Sequence, residues 1–99
     1  MTFEDVIRRQ LDLFESEHSD LIAGCDVAER AYDASGRGKA EERYGEYLEL
    51  VETGTEELAA LRDHFASAMT ASAAEEYEAE FNRAVLVRLP RFALEIEDA

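Results

Sequence analysis

The chain has 99 residues, which suits one domain with a hydrophobic core, and we expect a single domain over residues 1–99. It carries 24 acidic and 10 basic residues, a formal net charge of -14, so it repels nucleic acid phosphate and we expect no nucleic-acid partner. The apolar fraction of 46% is that of a globular chain, which argues against disorder.

The first predicted element is a long amphipathic helix over residues 3–35. Its apolar side chains recur every three or four residues, which places them on one face of an α-helix. They are Phe3, Ile7, Leu11, Phe14, Leu21, Cys25, Ala28 and Tyr32. His18 falls on the same stripe. Gly36 and Gly38 follow, and we expect them to end the helix and form a turn.

A second helix is predicted over residues 39–70, because its apolar residues again recur at helical spacing from Tyr44 to Met69 while the opposite face is charged. Gly54 interrupts this pattern. A glycine inside a helix costs about 1 kcal/mol relative to alanine. We therefore expect one helix with a weak point at Gly54, and a kink or a split there is the alternative.

A third helix is predicted over residues 73–97, with apolar residues three or four apart from Tyr77 to Ile96. Pro90 lies inside it and removes a backbone donor, so we expect the helix to kink or to end near Pro90. Residues 92–96 also alternate enough to form a short strand, which is the alternative. Together the three elements predict an all-α fold, an antiparallel up-down-up three-helix bundle.

Folding the chain at its two turns predicts a polar layer inside the core. In that arrangement His18 lies level with Gly54, Thr55 and Pro90. We expect Gly54 to make space for the imidazole, and Thr55 or the carbonyl freed by Pro90 to accept its hydrogen bond. The alternative for the same residues is a small polar pocket or a hinge.

An apolar and aromatic cluster is predicted near the turn at Gly36. Its members are Tyr32, Tyr44, Tyr47 and Leu48. Tyrosine is enriched at protein interfaces because it combines a large apolar ring with a polar tip. If the third helix continues past Pro90, then Phe92 and Ile96 cover the tyrosines. Otherwise a partner covers them, and we expect a homodimer with this cluster as its interface.

Signatures of catalysis are missing from the sequence, which has neither a nucleophile motif nor a glycine-rich phosphate loop. Glu15 and His18 form the Glu-x-x-His unit of di-iron bundles, but the residue at the matching position before His64 is Leu61. We therefore expect no catalytic residue, no metal, no cofactor and no enzymatic activity.

The environment is predicted to be cytoplasmic. Cys25 is the single cysteine and cannot form an internal disulfide, no apolar run is long enough to span a membrane, and the start of the chain is acidic where a signal peptide is basic. The charge and the single lysine, Lys39, favour a halophilic, salt-rich cytosol. The alternative is an acidic protein from a high-GC genome, which also favours arginine.

These observations predict a non-enzymatic helical interaction or structural module that associates with itself. An acidic adaptor or inhibitor that binds a basic protein surface is the alternative. A metal- or ligand-binding bundle is a more distant third hypothesis. Salt separates the first two, since hydrophobic association strengthens with salt and an acidic–basic complex weakens.

Overall fold

The computed structural model describes residues 2–99, and every regular element in that range is helical. The four α-helices are α1 (Glu4–Glu17), α2 (Ser19–Asp33), α3 (Ala40–Ala66) and α4 (Ala71–Arg88). Two 3-10 turns follow, Pro90–Phe92 and Ile96–Asp98. The predicted all-α class is confirmed. The predicted count of three helices is wrong, and so is the alternative of a strand over residues 92–96.

The long first helix of the prediction is divided at His18. The backbone there has φ -114° and ψ 28°, outside the helical range. The break costs little hydrogen bonding, because the His18 amide donates to the Phe14 carbonyl and the His18 carbonyl accepts from the Ile22 amide. The two helices on either side of the break have different neighbours: α1 packs against α4, and α2 packs against α3. One straight helix could not follow both neighbours, which is the physical reason for the division.

Helix α4 ends where the proline predicts. It begins after Thr70, whose hydroxyl oxygen accepts a hydrogen bond from the Ala73 amide at 3.3 Å and caps the helix. It ends at Arg88, and Pro90 starts a 3-10 turn instead of a further helical turn. Proline cannot donate to the carbonyl four residues back, and its ring crowds that turn. Of the two predicted outcomes near Pro90, a kink or an end, the structure shows the end, and residues 89–97 do not continue the helix.

The segment after α4, residues 89–99, which we call the tail, reverses direction and lies along α3. Phe92 packs at Gly54, and the carbonyl of Ile96 accepts a hydrogen bond from Arg62, eight residues further along the same helix. The segment thus runs towards the end of α3 and away from the turn between α2 and α3. Its two buried side chains, Phe92 and Ile96, complete a core to which all four α-helices contribute, α2 through Cys25.

The molecule is elongated, with extents of 51 × 24 × 19 Å. Helix α3 has 27 residues and α4 has 18, which at a rise of 1.5 Å per residue makes them about 40 and 27 Å long. Because α4 and the tail cover only part of α3, the turn end of the α2–α3 pair extends alone. We call residues 27–48 the hairpin end and the rest of the described chain the body. Within residues 2–99 no helix is long and apolar enough to cross a membrane.

Candidate functional site

The space beside Gly54 is occupied by the ring of Phe92 and not by that of His18. A Cβ atom placed on Gly54 would lie 2.3 Å from Cε1 of Phe92 and 2.6 and 2.8 Å from two further ring atoms. Phe92 is 1% exposed, so its ring has little freedom to move away. The predicted use of Gly54, to make room for an imidazole, is therefore corrected: the glycine receives an aromatic ring of the tail.

Thr55 holds the same tail. Its hydroxyl lies 3.1 Å from the carbonyl oxygen of Phe92 and 3.0 Å from that of Val51, and these two oxygens share its single proton. Pro90 is exposed and does not line the core. The predicted polar layer therefore divides. Gly54 and Thr55 share a site with the tail, whereas His18 and Pro90 lie outside it.

His18 is half-buried at the break between α1 and α2. Its ring lies 4.8 Å from the ring of Phe14, and it borders a groove of about 270 Å³ that also contacts Leu61 and His64. Both histidines of the chain thus line one groove. Nevertheless, the described part of the chain contains no group of three His, Cys, Asp or Glu residues placed to hold a metal ion.

Arg62 is a buried charge that fastens the tail to α3. It is 5% exposed, and its Nη1 donates to the carbonyl of Ile96 at 2.7 Å and to Oδ1 of Asn82 at 2.9 Å. Its Nη2 donates to the backbone oxygen of Ala99 at 3.0 Å, and its Nε to Asp63 at 2.9 Å. Each guanidinium nitrogen therefore has a partner, which compensates for its removal from water.

Arg88, at the end of α4, fastens that helix to α1. Its guanidinium donates to both carboxylate oxygens of Glu15, at 2.9 and 3.0 Å, and to Asp12 at 2.5 Å. These hydrogen bonds, first that with Glu15 and then that with Asp12, raise the pKa of Arg88 above its ordinary value.

Arg91, at the start of the tail, fastens the tail to α2 and α3. Its Nη1 donates to Asp26 at 3.0 Å, its Nη2 to Glu29 at 3.3 Å and its Nε to the hydroxyl oxygen of Tyr47 at 3.2 Å. Of the three arginines that are densest in the sequence, Arg83, Arg88 and Arg91, two are thus used inside the fold. They do not form a free basic surface.

Cys25 is fully buried beside Arg91. Burial raises the pKa of the Cys25 thiol, and the nearby guanidinium only partly opposes that effect. The thiol is therefore protonated at neutral pH. Cys25 therefore has the properties of a small buried hydrophobic residue and not those of a thiolate nucleophile.

The predicted interface residues gather at the hairpin end and at its border with the body. The rings of Tyr32 and Tyr44 are 5.3 Å apart, and the two residues are 38% and 46% exposed. Tyr47 is half-buried, with the guanidinium of Arg91 5.6 Å from the centre of its ring. Leu48 is half-buried at the edge of a groove of about 300 Å³ between α3 and the tail.

The hairpin end differs from the body in charge. Residues 27–48 contain five acidic and four basic side chains, whereas the remaining residues contain 19 acidic and six basic ones. Three of those six basic residues are Arg62, Arg88 and Arg91, already paired inside the fold. The net charge of the molecule is therefore concentrated on the body, and its tyrosine-bearing end is close to neutral.

Gly45 is a second unusual feature of the hairpin end. It lies within α3 and is exposed, and a Cβ atom added there would meet nothing within 4 Å among the described residues. It shares a face of the helix with Leu48, three residues later, and lies about 100° around the helix from the adjacent Tyr44. The spacing of the apolar residues does not single out Gly45, although a glycine between helix-forming neighbours is visible in the sequence.

Other exposed apolar side chains are spread over the body, at Val6, Leu13, Phe65, Leu86, Val87 and Leu94. Single exposed apolar side chains are common on monomeric proteins.

Comparison of the chain with protein-family models, with curated proteins and with solved structures gives no match.

Proposed function

We propose that this protein is a non-enzymatic helical interaction module that associates with itself through the hairpin end. The observation that carries the proposal is the uncovered pair Tyr32 and Tyr44. The tail that could have covered them turns back at Pro90 and packs on α3 at Gly54 instead. A second copy would supply the missing cover, and two hairpins packed together form a four-helix arrangement.

The charge distribution supports the same surface. Two copies of a chain with a net charge of -14 repel each other, but five acidic and four basic side chains between residues 27 and 48 leave that end nearly neutral. The hairpin end is thus the part of the molecule where electrostatic repulsion opposes self-association least.

The size of the surface indicates a weak dimer. Two helices, each about 10 Å in diameter, form a face about 20 Å wide and 20 Å long, or roughly 400 Å² per copy. A standard interface buries about 800 Å² per partner. Two copies bury about 800 Å² together, and if about half of that area is apolar the gain is about 10 kcal/mol, which the cost of association partly offsets. A remainder of about 5 kcal/mol corresponds to a dissociation constant on the order of 100 µM.

Light scattering over protein concentrations from about 10 µM to 1 mM tests the proposal near the expected dissociation constant. We expect the mass to rise from monomer to dimer, and Tyr44→Glu to keep it monomeric because a carboxylate would be buried in the interface. The matched control is Leu86→Glu on α4, which introduces the same charge at a residue that is 62% exposed in the body. A monomeric wild type over the whole range contradicts the proposal, as does equal loss of the dimer in both variants.

The second candidate function is that of an acidic adaptor or inhibitor for a basic protein. The observation that favours it is the body, with 19 acidic and six basic side chains. Such a complex weakens as salt rises, whereas the dimer strengthens, so a salt series of the same experiments separates the two.

The reduced, buried Cys25 and the acidic charge fit a cytoplasmic and salt-rich setting, which we include in the proposal.

A further inference from the structure

We infer that two copies overlap only through their hairpin ends and point in opposite directions, so that the two bodies lie at the far ends of the dimer. This inference rests on the proposed function and adds to it the arrangement of the partner. It follows from the unequal charge of the two parts of the molecule and from its elongated shape.

The charge of the body decides between the possible orientations. In a parallel dimer the two bodies lie side by side, each with 19 acidic and six basic side chains. Their surfaces would be separated by less than the screening length, which is about 8 Å at physiological ionic strength. In the antiparallel arrangement the bodies are about 20 Å apart, more than two screening lengths, and most of their repulsion is screened. The hairpin ends meet in both cases, so the repulsion between the bodies selects the antiparallel form.

Gly45 identifies where the two copies come closest. A glycine inside an exposed helix destabilises that helix relative to alanine, and here no described residue of the same chain uses the space above it. Glycine allows another backbone to approach closely. Because Gly45 borders Tyr44 and Leu48, a partner helix that covers the tyrosine pair passes over it. We assign to Gly45 the close approach of the partner helix.

Small-angle X-ray scattering on the full chain at 0.15 M salt tests the arrangement. The longest extent of one copy is 51 Å. Two copies that overlap by about 20 Å should reach about 85 Å, whereas a parallel pair, two widths of 19 Å across, should reach only about 65 Å. A dimer mass with a longest dimension near 85 Å supports the inference. A dimer mass with a longest dimension near 65 Å overturns the arrangement and leaves self-association intact. A monomer at every concentration overturns the proposed function and the arrangement with it.

Replacing Gly45 tests the contact itself. Gly45→Ala should raise the thermal midpoint by several degrees at micromolar concentration, where the protein is monomeric, and should raise the dissociation constant of the dimer at least tenfold. The matched control is Gly24→Ala in α2, whose Cβ would make an ordinary contact with Leu50 at 3.8 Å inside the hairpin. That variant should gain thermal stability without losing association. If both variants associate like the wild type, or lose association equally, Gly45 is not the point of close approach.

Discussion

The ring of Phe92 occupies the hollow that Gly54 leaves on α3. A Cβ atom on Gly54 would lie 2.3 Å from the nearest ring carbon, closer than any van der Waals contact allows. The hollow fixes where the tail lies, because Thr55 next to it binds the carbonyl of Phe92 at 3.1 Å. The hollow at Gly54 thus helps to direct the tail along the body, which leaves Tyr32 and Tyr44 exposed.

Gly54→Ala should therefore destabilise the protein. Alanine favours the helix by about 1 kcal/mol, but the methyl group displaces a buried ring, and overpacking of this kind costs about 1–3 kcal/mol or more. We expect a net loss of about 1–2 kcal/mol in urea denaturation. Gly24→Ala is the control and should be neutral or stabilising, since its Cβ meets Leu50 at an ordinary 3.8 Å. Equal stability of the two variants would show that Phe92 adjusts freely.

Arg62→Met should loosen the tail. Methionine keeps the apolar part of the side chain but leaves the Ile96 and Ala99 oxygens and the Asn82 amide without their donor. Hydrogen bonds to a charged group contribute about 1.5–3 kcal/mol each, and part of that returns as hydration of the freed oxygens. We expect a loss of about 2–3 kcal/mol and faster amide hydrogen exchange over residues 90–99. Arg8→Met, which removes an exposed pair with Asp5, should change the stability by less than about 1 kcal/mol. A similar loss in both variants would contradict the role of Arg62.

The sequence predicted the helical faces and the end of α4 well, because both depend on local rules. Ile7, Leu11 and Phe14 lie on one stripe and are all buried, and Pro90 stops α4 for a steric reason that needs no tertiary contact. The break at His18 could not be predicted in the same way. The apolar spacing continues through it, and the chain bends because α1 follows α4 while α2 follows α3.

Of the candidate site, the sequence predicted only the exposure of Tyr32 and Tyr44, which follows from the length of α4. Tyr32 and Tyr44 are uncovered because α4 is too short to reach them, as the proline implied. The partner of Gly54 was missed, since helical periodicity says nothing about the direction of a chain after Pro90. The structural role of Arg62 was missed for a related reason: a charged residue on the helix was assigned to the solvated face, although it lies four residues after the buried Leu58.

Alkaline pH should destabilise the protein through Tyr77. This side chain is fully buried, its hydroxyl donates to Oε1 of Gln10 at 2.7 Å, and burial raises its pKa to about 12 from an ordinary value of 10.0. The unfolded chain loses the proton near pH 10 while the folded chain keeps it, so stability present below pH 10 is lost between pH 10 and 12, at up to about 1.4 kcal/mol per pH unit.

Urea denaturation of the wild type and of Tyr77→Phe between pH 8 and 11.5 measures the contribution of Tyr77. The phenylalanine variant should be about 1 kcal/mol less stable at pH 8, because the Gln10 oxygen loses its donor. Its stability should then fall less steeply than that of the wild type as the pH rises. Identical slopes for the two proteins would rule out Tyr77 as the cause.

Folding stability should also rise with salt, because self-repulsion of the acidic body disfavours the compact state. Salt weakens the exposed ion pairs as well, but each contributes less than about 1 kcal/mol, and those of Arg88 and Arg91 are partly shielded from solvent. The net repulsion therefore dominates. Between 0.05 and 3 M KCl we expect the thermal midpoint to rise by roughly 5–10 °C, measured by circular dichroism at micromolar protein.

A matched variant separates charge screening from the general stabilising effect of salt on apolar burial. Glu49, Glu75 and Glu76 are exposed, and none forms an ion pair within residues 2–99. Changing all three to glutamine removes three negative charges and no internal contact. The variant should therefore be more stable than the wild type in dilute buffer and should gain less from added KCl. A wild-type midpoint that stays flat or falls would remove the halophilic interpretation, and equal salt slopes for both proteins would assign the gain to apolar burial alone.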